Sequence, residues 1–286
     1  MIMKRNFDEN WDLIIRPHKN LLDINLKALW QYRDLIALFV RRDFVAKYKQ
    51  TILGPLWFII QPVLTTIMFT VVFNKVAKIP TDELPPVLFY MAGTVAWTYF
   101  ATCLNNTSNT FITNATVFGK VYFPRLTVPV SIVISTLILF FIQFALLVAI
   151  MILFRFKGVT YHLSSYLLLI PVLILLMALL GLGFGIVISS LTTKYRDLTQ
   201  LIAFGVQLWM YATPIVYPLS SISEKYRFWI LLNPMTSVIE TFRFALLGTG
   251  TFKALYLLYS AGFAVIVVFI GIILFNRIEK SFIDTV

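Results

Sequence analysis

Residues 41–62 read RRDFVAKYKQTILGPLWFIIQP, and this junction decides the fold class. A basic segment carrying Arg41, Arg42, Lys47 and Lys49 passes through a Gly-Pro hinge into an uncharged apolar run. Lys and Arg concentrate on the cytoplasmic side of a bilayer, and an indole ring such as Trp57 anchors a helix at the interface. The junction therefore predicts a membrane helix that starts inside the cell.

Upstream, Leu22, Leu26, Leu29, Leu35, Leu38 and Phe39 alternate with Lys27, Arg33, Asp34, Arg41 and Arg42. That spacing predicts an amphipathic helix, lying along the membrane interface or docked on a partner. Residues 1–20 are polar and lack the apolar core of a signal peptide, so the first membrane helix is expected to direct insertion.

Downstream, the composition supports a polytopic helical protein. Of 286 residues, 59% are hydrophobic and 13% charged, with a mean hydropathy of +0.84. The excess lies in runs near the roughly 20 residues that a helix needs to cross a bilayer. The period-two alternation of a lipid-facing strand is absent. Six spans are predicted, at 57–76, 87–104, 127–154, 166–191, 199–217 and 255–276. Sixteen of the 24 Lys and Arg fall on the cytoplasmic side of this arrangement and eight outside, which places both termini in the cytoplasm. The net charge of +11 follows this topology and the pull of lipid headgroups, so no nucleic-acid partner is expected.

The expected organisation is a tail and interface helix over 1–50 and a six-helix membrane domain over 51–286. Between the last two spans, apolar pieces too short to cross are broken by Asn233-Pro234 and Gly248. They predict a re-entrant hairpin within 220–250 on the outer side. Glu240 and Arg243, three apart, would share a helix face there. They read either as an ion pair that lets the hairpin be buried or as a gate on an exit path.

The residues exclude several chemistries. No Asp, Glu, Lys, Arg or His occurs in 50–74, 126–154 or 198–223, which argues against ion-coupled transport. His18 and His162 are isolated, Cys103 is the sole cysteine, and no catalytic carboxylate pair or metal-ligand cluster is visible. Around Gly119-Lys120, Asn114 replaces the first glycine of a phosphate-binding loop and Val121 its magnesium-binding hydroxyl. Gly181 and Gly185 read as a close helix-packing pair.

Two constellations point toward transport. The connection 105–125 is longer than the usual 2–8 residues and ends in a basic, aromatic turn bearing Phe118, Lys120, Tyr122 and Arg125. It predicts an exposed tip for docking. Aromatic and polar residues also recur at helical spacing: Phe58, Thr65, Phe69 and Phe73; Tyr90, Thr94, Trp97 and Phe100; Phe204, Gln207 and Tyr211. Rings stack on sugar faces and Gln, Thr and Tyr bond hydroxyls, so these faces are candidate channel walls; ordinary packing is the competing reading.

The blocks RRDFVAKYKQTILGPLWFIIQP, FGKVYFPRLTVP, YRDLTQLIAFGVQLWMYATPIVYP and LLNPMTSVIETFR occur in this order. Together they resemble the membrane permeases of type-2 ABC exporters, above all the group that exports O-antigen, capsule and teichoic acid. The resemblance implies a homodimer in the bacterial inner membrane with two separate ATPase subunits, which would hold ATP and magnesium while this chain binds no cofactor. It also implies that 105–125 carries a coupling helix, that the aromatic faces line a glycan channel, and that a lipid-linked polysaccharide moves outward. A small-molecule or lipid exporter of the same superfamily and a membrane glycosyltransferase are the alternatives.

Overall fold

The computed structural model describes residues 26–49, 52–121, 123–161, 165–193, 195 and 197–282. The tail at 1–20, His18, Tyr122 and His162 lie outside the described residues. Among the described residues the chain is helical without strands.

Two short elements lead in, α1 (Leu26–Gln31) and α2 (Arg33–Tyr48). A turn at Gly54–Leu56 then opens α3 (Trp57–Phe69), which continues as a π-helical stretch, Thr70–Val76. Next come α4 (Pro86–Ser108), the small helices α5 (Thr110–Thr113) and α6 (Ala115–Phe118), and α7 (Thr127–Phe156). After a turn at Ser165–Leu169, α8 (Ile170–Thr192) is followed by α9 (Leu198–Ala212), α10 (Glu224–Leu231), α11 (Pro234–Leu247) and α12 (Ala254–Phe282).

Among the described residues five stretches are long and apolar enough to cross a membrane: Gly54–Val76, Pro86–Ser108, Thr127–Phe156, Ser165–Thr192 and Ala254–Ile278. The bent pair Glu224–Leu231 with Pro234–Leu247 would make a sixth if counted as one span. The fifth expected span, 199–217, departs from the prediction. Its helix α9 has 15 residues, about 22 Å at a 1.5 Å rise, against a hydrocarbon core of roughly 30 Å. It stops where Thr213 turns extended ahead of Pro214, because a residue before proline is pushed out of the helical region.

The break between α10 and α11 has a similar origin. Asn233 caps α11, its side chain accepting from the Met235 amide at 3.0 Å, and Pro234 fills the first turn, where no amide donor is needed. The two helices meet at 102°. Gly248 closes α11 with φ +76, a left-handed geometry that favours glycine.

α4 is the pillar around which the bundle is built, touching α3, α7, α8, α9 and α11. Its approach to α8 is backbone-close. A Cβ on Gly181 would lie 2.6 Å from the Cys103 Cβ, and one on Gly185 would lie 2.5 Å from the Thr107 Cβ. Gly183 and Gly271 do the same between α8 and α12, where a Cβ on Gly183 would stand 2.9 Å from the Val268 nitrogen. In lipid, where apolar surface gives no drive for association, such close packing holds helices together.

Candidate functional site

The three aromatic faces expected to line a channel do not share one environment. On α4, Tyr90 and Phe100 are fully buried, with Trp97 and Thr94 nearly so. Trp97 and Phe100 lie 6.0 and 5.3 Å from the Trp209 ring on α9, and Phe184 of α8 closes the group at 5.1 Å from Trp209. Thr94 bonds back to the Met91 carbonyl at 3.1 Å. In this arrangement the α4 face packs among the chain's own helices. α4 is covered by α3, α7, α8, α9 and α11 around most of its circumference, so a regular aromatic spacing does not tell which side is left open.

α9 behaves differently. Phe204, Gln207 and Tyr211 are exposed, while Val206 and Trp209 turn toward the bundle. Phe58, Thr65 and Phe69 on α3 and Phe73 on its π-helical continuation are half-buried. Phe73 stands 6.4 Å from both Tyr90 and Tyr211, so one aromatic cluster joins the ends of α3, α4 and α9. A run of tilted and edge-on rings within about 7 Å is favourable beyond area burial alone.

The α10–α11 hairpin is fastened by the Glu240–Arg243 pair, whose charged atoms lie 3.0 Å apart with side chains 2% and 1% exposed. Arg243 Nη2 also donates to the Pro214 carbonyl at 3.0 Å, and the guanidinium stacks 3.8 Å over the Phe89 ring of α4. Glu240 Oε2 accepts from the Thr251 amide at 3.2 Å. Gly93 makes room, since a Cβ there would meet Arg243 Nη2 at 3.0 Å. Beyond the pair itself these contacts go to the chain's own backbone and the Phe89 ring, while Arg243 Nε is buried without a hydrogen-bond partner among the described residues. The pair is almost wholly buried and links α4, α11 and the segment after α9. Asn233 adds a second tie, donating to Thr213 Oγ1 at 2.8 Å.

At the opposite end, Phe39 of α2 joins Phe111, Phe118, Phe123, Val128, Ile132, Ile186 and Phe275 in a separate apolar cluster. Phe118 is 7% exposed and Arg125 is 8% exposed, with the Arg125 guanidinium 5.5 Å from the Phe118 ring. The expectation that both sit on an exposed tip is thereby corrected: the chain after α6 folds back under α7 and turns them inward. Gly119, Lys120 and Val121 form the exposed part of the turn. α2 docks on this base, where Arg42 pairs with Asp43 at 2.8 Å and donates to Asn114 Oδ1 at 3.3 Å.

Two openings were not foreseen from the sequence. One, of about 190 Å³, is lined by Phe58, Gln61, Thr98, Tyr99, Thr102, Thr136, Leu139, Phe140 and Gln143. The other, about 570 Å³, lies between α2, the 105–117 region and the start of α7. The available signal was the presence of Gln61 and Gln143 inside uncharged spans, since an amide in hydrocarbon needs a partner.

The sequence is similar to those of known proteins. The ABC-2 type transporter family matches residues 34–247. The O-antigen export system permease protein RfbA of Klebsiella pneumoniae is 29% identical over 252 residues, covering 88% of this chain and 94% of that protein. RfbA of Myxococcus xanthus is 26% identical over 220 residues, or 76% of this chain and 82% of its own. The polysialic acid transport protein KpsM of Escherichia coli is 22% identical over 250 residues, 87% and 95% of the two chains. The family match runs from α2 to the end of α11 and takes in the docked helix, the pillar and the braced hairpin, so the chain belongs to the ABC-2 type transporter family.

Proposed function

We propose that this chain is the permease subunit of an ATP-driven exporter that moves a lipid-linked polysaccharide outward across the bacterial inner membrane. The observation that carries the reading is similarity over nearly the whole length of an O-antigen export permease, 88% of this chain and 94% of the relative. The exposed Phe204, Gln207 and Tyr211 face of α9 supports it, because rings and an amide suit a chain of sugars. The half-buried Phe58, Thr65 and Phe69 of α3 and Phe73 of its π-helical continuation flank that face as secondary candidates.

In this reading two copies assemble with two ATPase subunits that bind ATP and magnesium. α2 is the interface helix, both termini are cytoplasmic, and α10 with α11 re-enters the membrane from outside. The turn at 119–121, with Tyr122, is the part that meets the ATPase. Phe118 and Arg125 support it from within as positioning residues. The brace at Glu240 and Arg243 holds the outer hairpin rigid, so motion of the base moves it as a unit.

The coupling assignment is tested by co-purification with the ATPase. Lys120→Glu and Val121→Asp should each lower ATPase recovery at least fivefold with thermal stability unchanged. Full recovery in both variants would overturn the assignment.

A further inference from the structure

The two openings lie end to end along one seam, between α4 and α7. On α4, Thr98 and Thr102 line the upper cavity and Asn106 and Asn109 the lower cleft. Their spacings of four, four and three keep them on one helix face over a rise of about 17 Å. This face differs from the buried aromatic one: Thr98 is exposed while Trp97 and Tyr99 on either side are buried. On α7 the handover occurs between neighbours, with Ser135 lining the cleft and Thr136 the cavity.

The polar groups of the upper cavity are short of partners. Thr136 bonds back to the Ile132 carbonyl at 2.8 Å. Gln61, Thr98, Thr102 and Gln143 have no hydrogen-bond partner among the described residues. In the lower cleft, Asn109 Oδ1 is buried and also lacks one. An amide left unpaired in an apolar setting costs several kcal/mol by transfer from water to hydrocarbon. Gln61 and Thr98 are exposed along this seam, with Thr102 half-buried and Gln143 buried beside them, so their donors and acceptors are free to meet an occupant that brings its own.

The charge pattern narrows that occupant. The upper cavity contains no ionisable side chain except the Tyr99 phenol, and the cleft has only Arg42 and Asp43, paired with each other at 2.8 Å. A phosphate would call for uncommitted cations, and an acyl chain would leave every amide unsatisfied. Neutral amides and hydroxyls beside the Phe58, Tyr99 and Phe140 rings instead suit alternating hydroxyls and apolar ring faces.

We infer that the α4–α7 seam is a contact track for an uncharged, hydroxyl-rich chain, with Gln61, Thr98 and Gln143 bonding its hydroxyls. Asn106 and Asn109 receive it at the cytoplasmic mouth. The inference deepens the polysaccharide-export reading and rests on it, and it moves the glycan-contacting role on α4 from Trp97 to Thr98.

Cysteine accessibility tests the track. Cys103 is buried and is the sole cysteine, so Thr98→Cys in a Cys103→Ala background carries one reporting thiol. In membrane vesicles holding the complete complex, a small water-soluble thiol reagent should label it. Adding the lipid-linked glycan fraction extracted from the host should slow labelling at least tenfold. No labelling, labelling unaffected by the glycan, or a disulfide between two copies through Thr98→Cys would each overturn the track. Deleting the chain from the host separates the two claims. Surface glycan that persists would overturn the export reading, whereas its loss alongside an unprotected Thr98→Cys would overturn the track alone.

Discussion

α4 and α9 both present aromatic and polar residues at helical spacing, yet one buries that face and the other exposes it. The most apolar stretch of α4 is 78% buried, and its Tyr90, Trp97 and Phe100 form the centre of the molecule. On α9 only Val206 is buried, and Phe204, Gln207 and Tyr211 look outward. The difference comes from neighbours. α4 has helices on every side but the strip around Thr98, whereas α9 leans on α4 through Trp209 and leaves its other face uncovered. An aromatic repeat in a membrane protein therefore stays open to other molecules only where the bundle leaves it without a partner helix.

The largest effect that can break this comparison lies at the brace holding the two helices in register. Arg243→Met leaves Glu240 as an uncompensated buried charge, a loss worth about 3–5 kcal/mol. Thermal unfolding in lipid nanodiscs should show a strongly lowered Tm, with partial recovery when Glu240→Gln is added. An unchanged Tm would mean that the hairpin does not depend on the pair.

Next in size is Phe100→Ala on the pillar, where removing a fully buried ring costs about 3 kcal/mol or more. The matching change on α9, Phe204→Ala, removes a ring that is 60% exposed and should cost less than about 1 kcal/mol. Export of glycan should nonetheless fall in Phe204→Ala at normal protein amount. Equal destabilisation by the two changes, read from the same unfolding curves, would erase the distinction between core and surface.

A smaller effect sharpens the account of the pillar. Gly185→Ala puts a methyl 2.5 Å from the Thr107 Cβ, so α4 and α8 must separate. Overpacking of this kind costs about 1–3 kcal/mol. Thr107→Ser in the same chain removes the nearby methyl and should restore part of the loss, as a double-mutant cycle would detect.

Much of the fold was legible because length and apolarity act independently of packing. Trp57 and Pro55 mark the start of α3, and Asn233-Pro234 and Gly248 mark the ends of α11, since each residue imposes a local geometry. The end of α9 was missed because Ile215 and Val216 continue the apolar run while Pro214 has already stopped the helix. The inward turn of Phe118 and Arg125 was equally hidden. A basic aromatic turn reads as surface, and only the docking of α2 and α12 around it turns it into a core. The seam at Gln61, Thr98 and Gln143 was overlooked because its residues come from three separate helices, none with a periodic signal of its own.

The central claim is that this chain conducts a polysaccharide through the membrane on power supplied by a separate ATPase. It is tested most directly by reconstituting the chain with its ATPase in proteoliposomes and adding lipid-linked glycan from the host. The account predicts that glycan becomes accessible to an externally added glycosidase on the far leaflet only when ATP and magnesium are present. Accessibility that is equal without ATP, or absent with a fully assembled and hydrolysing complex, would contradict it.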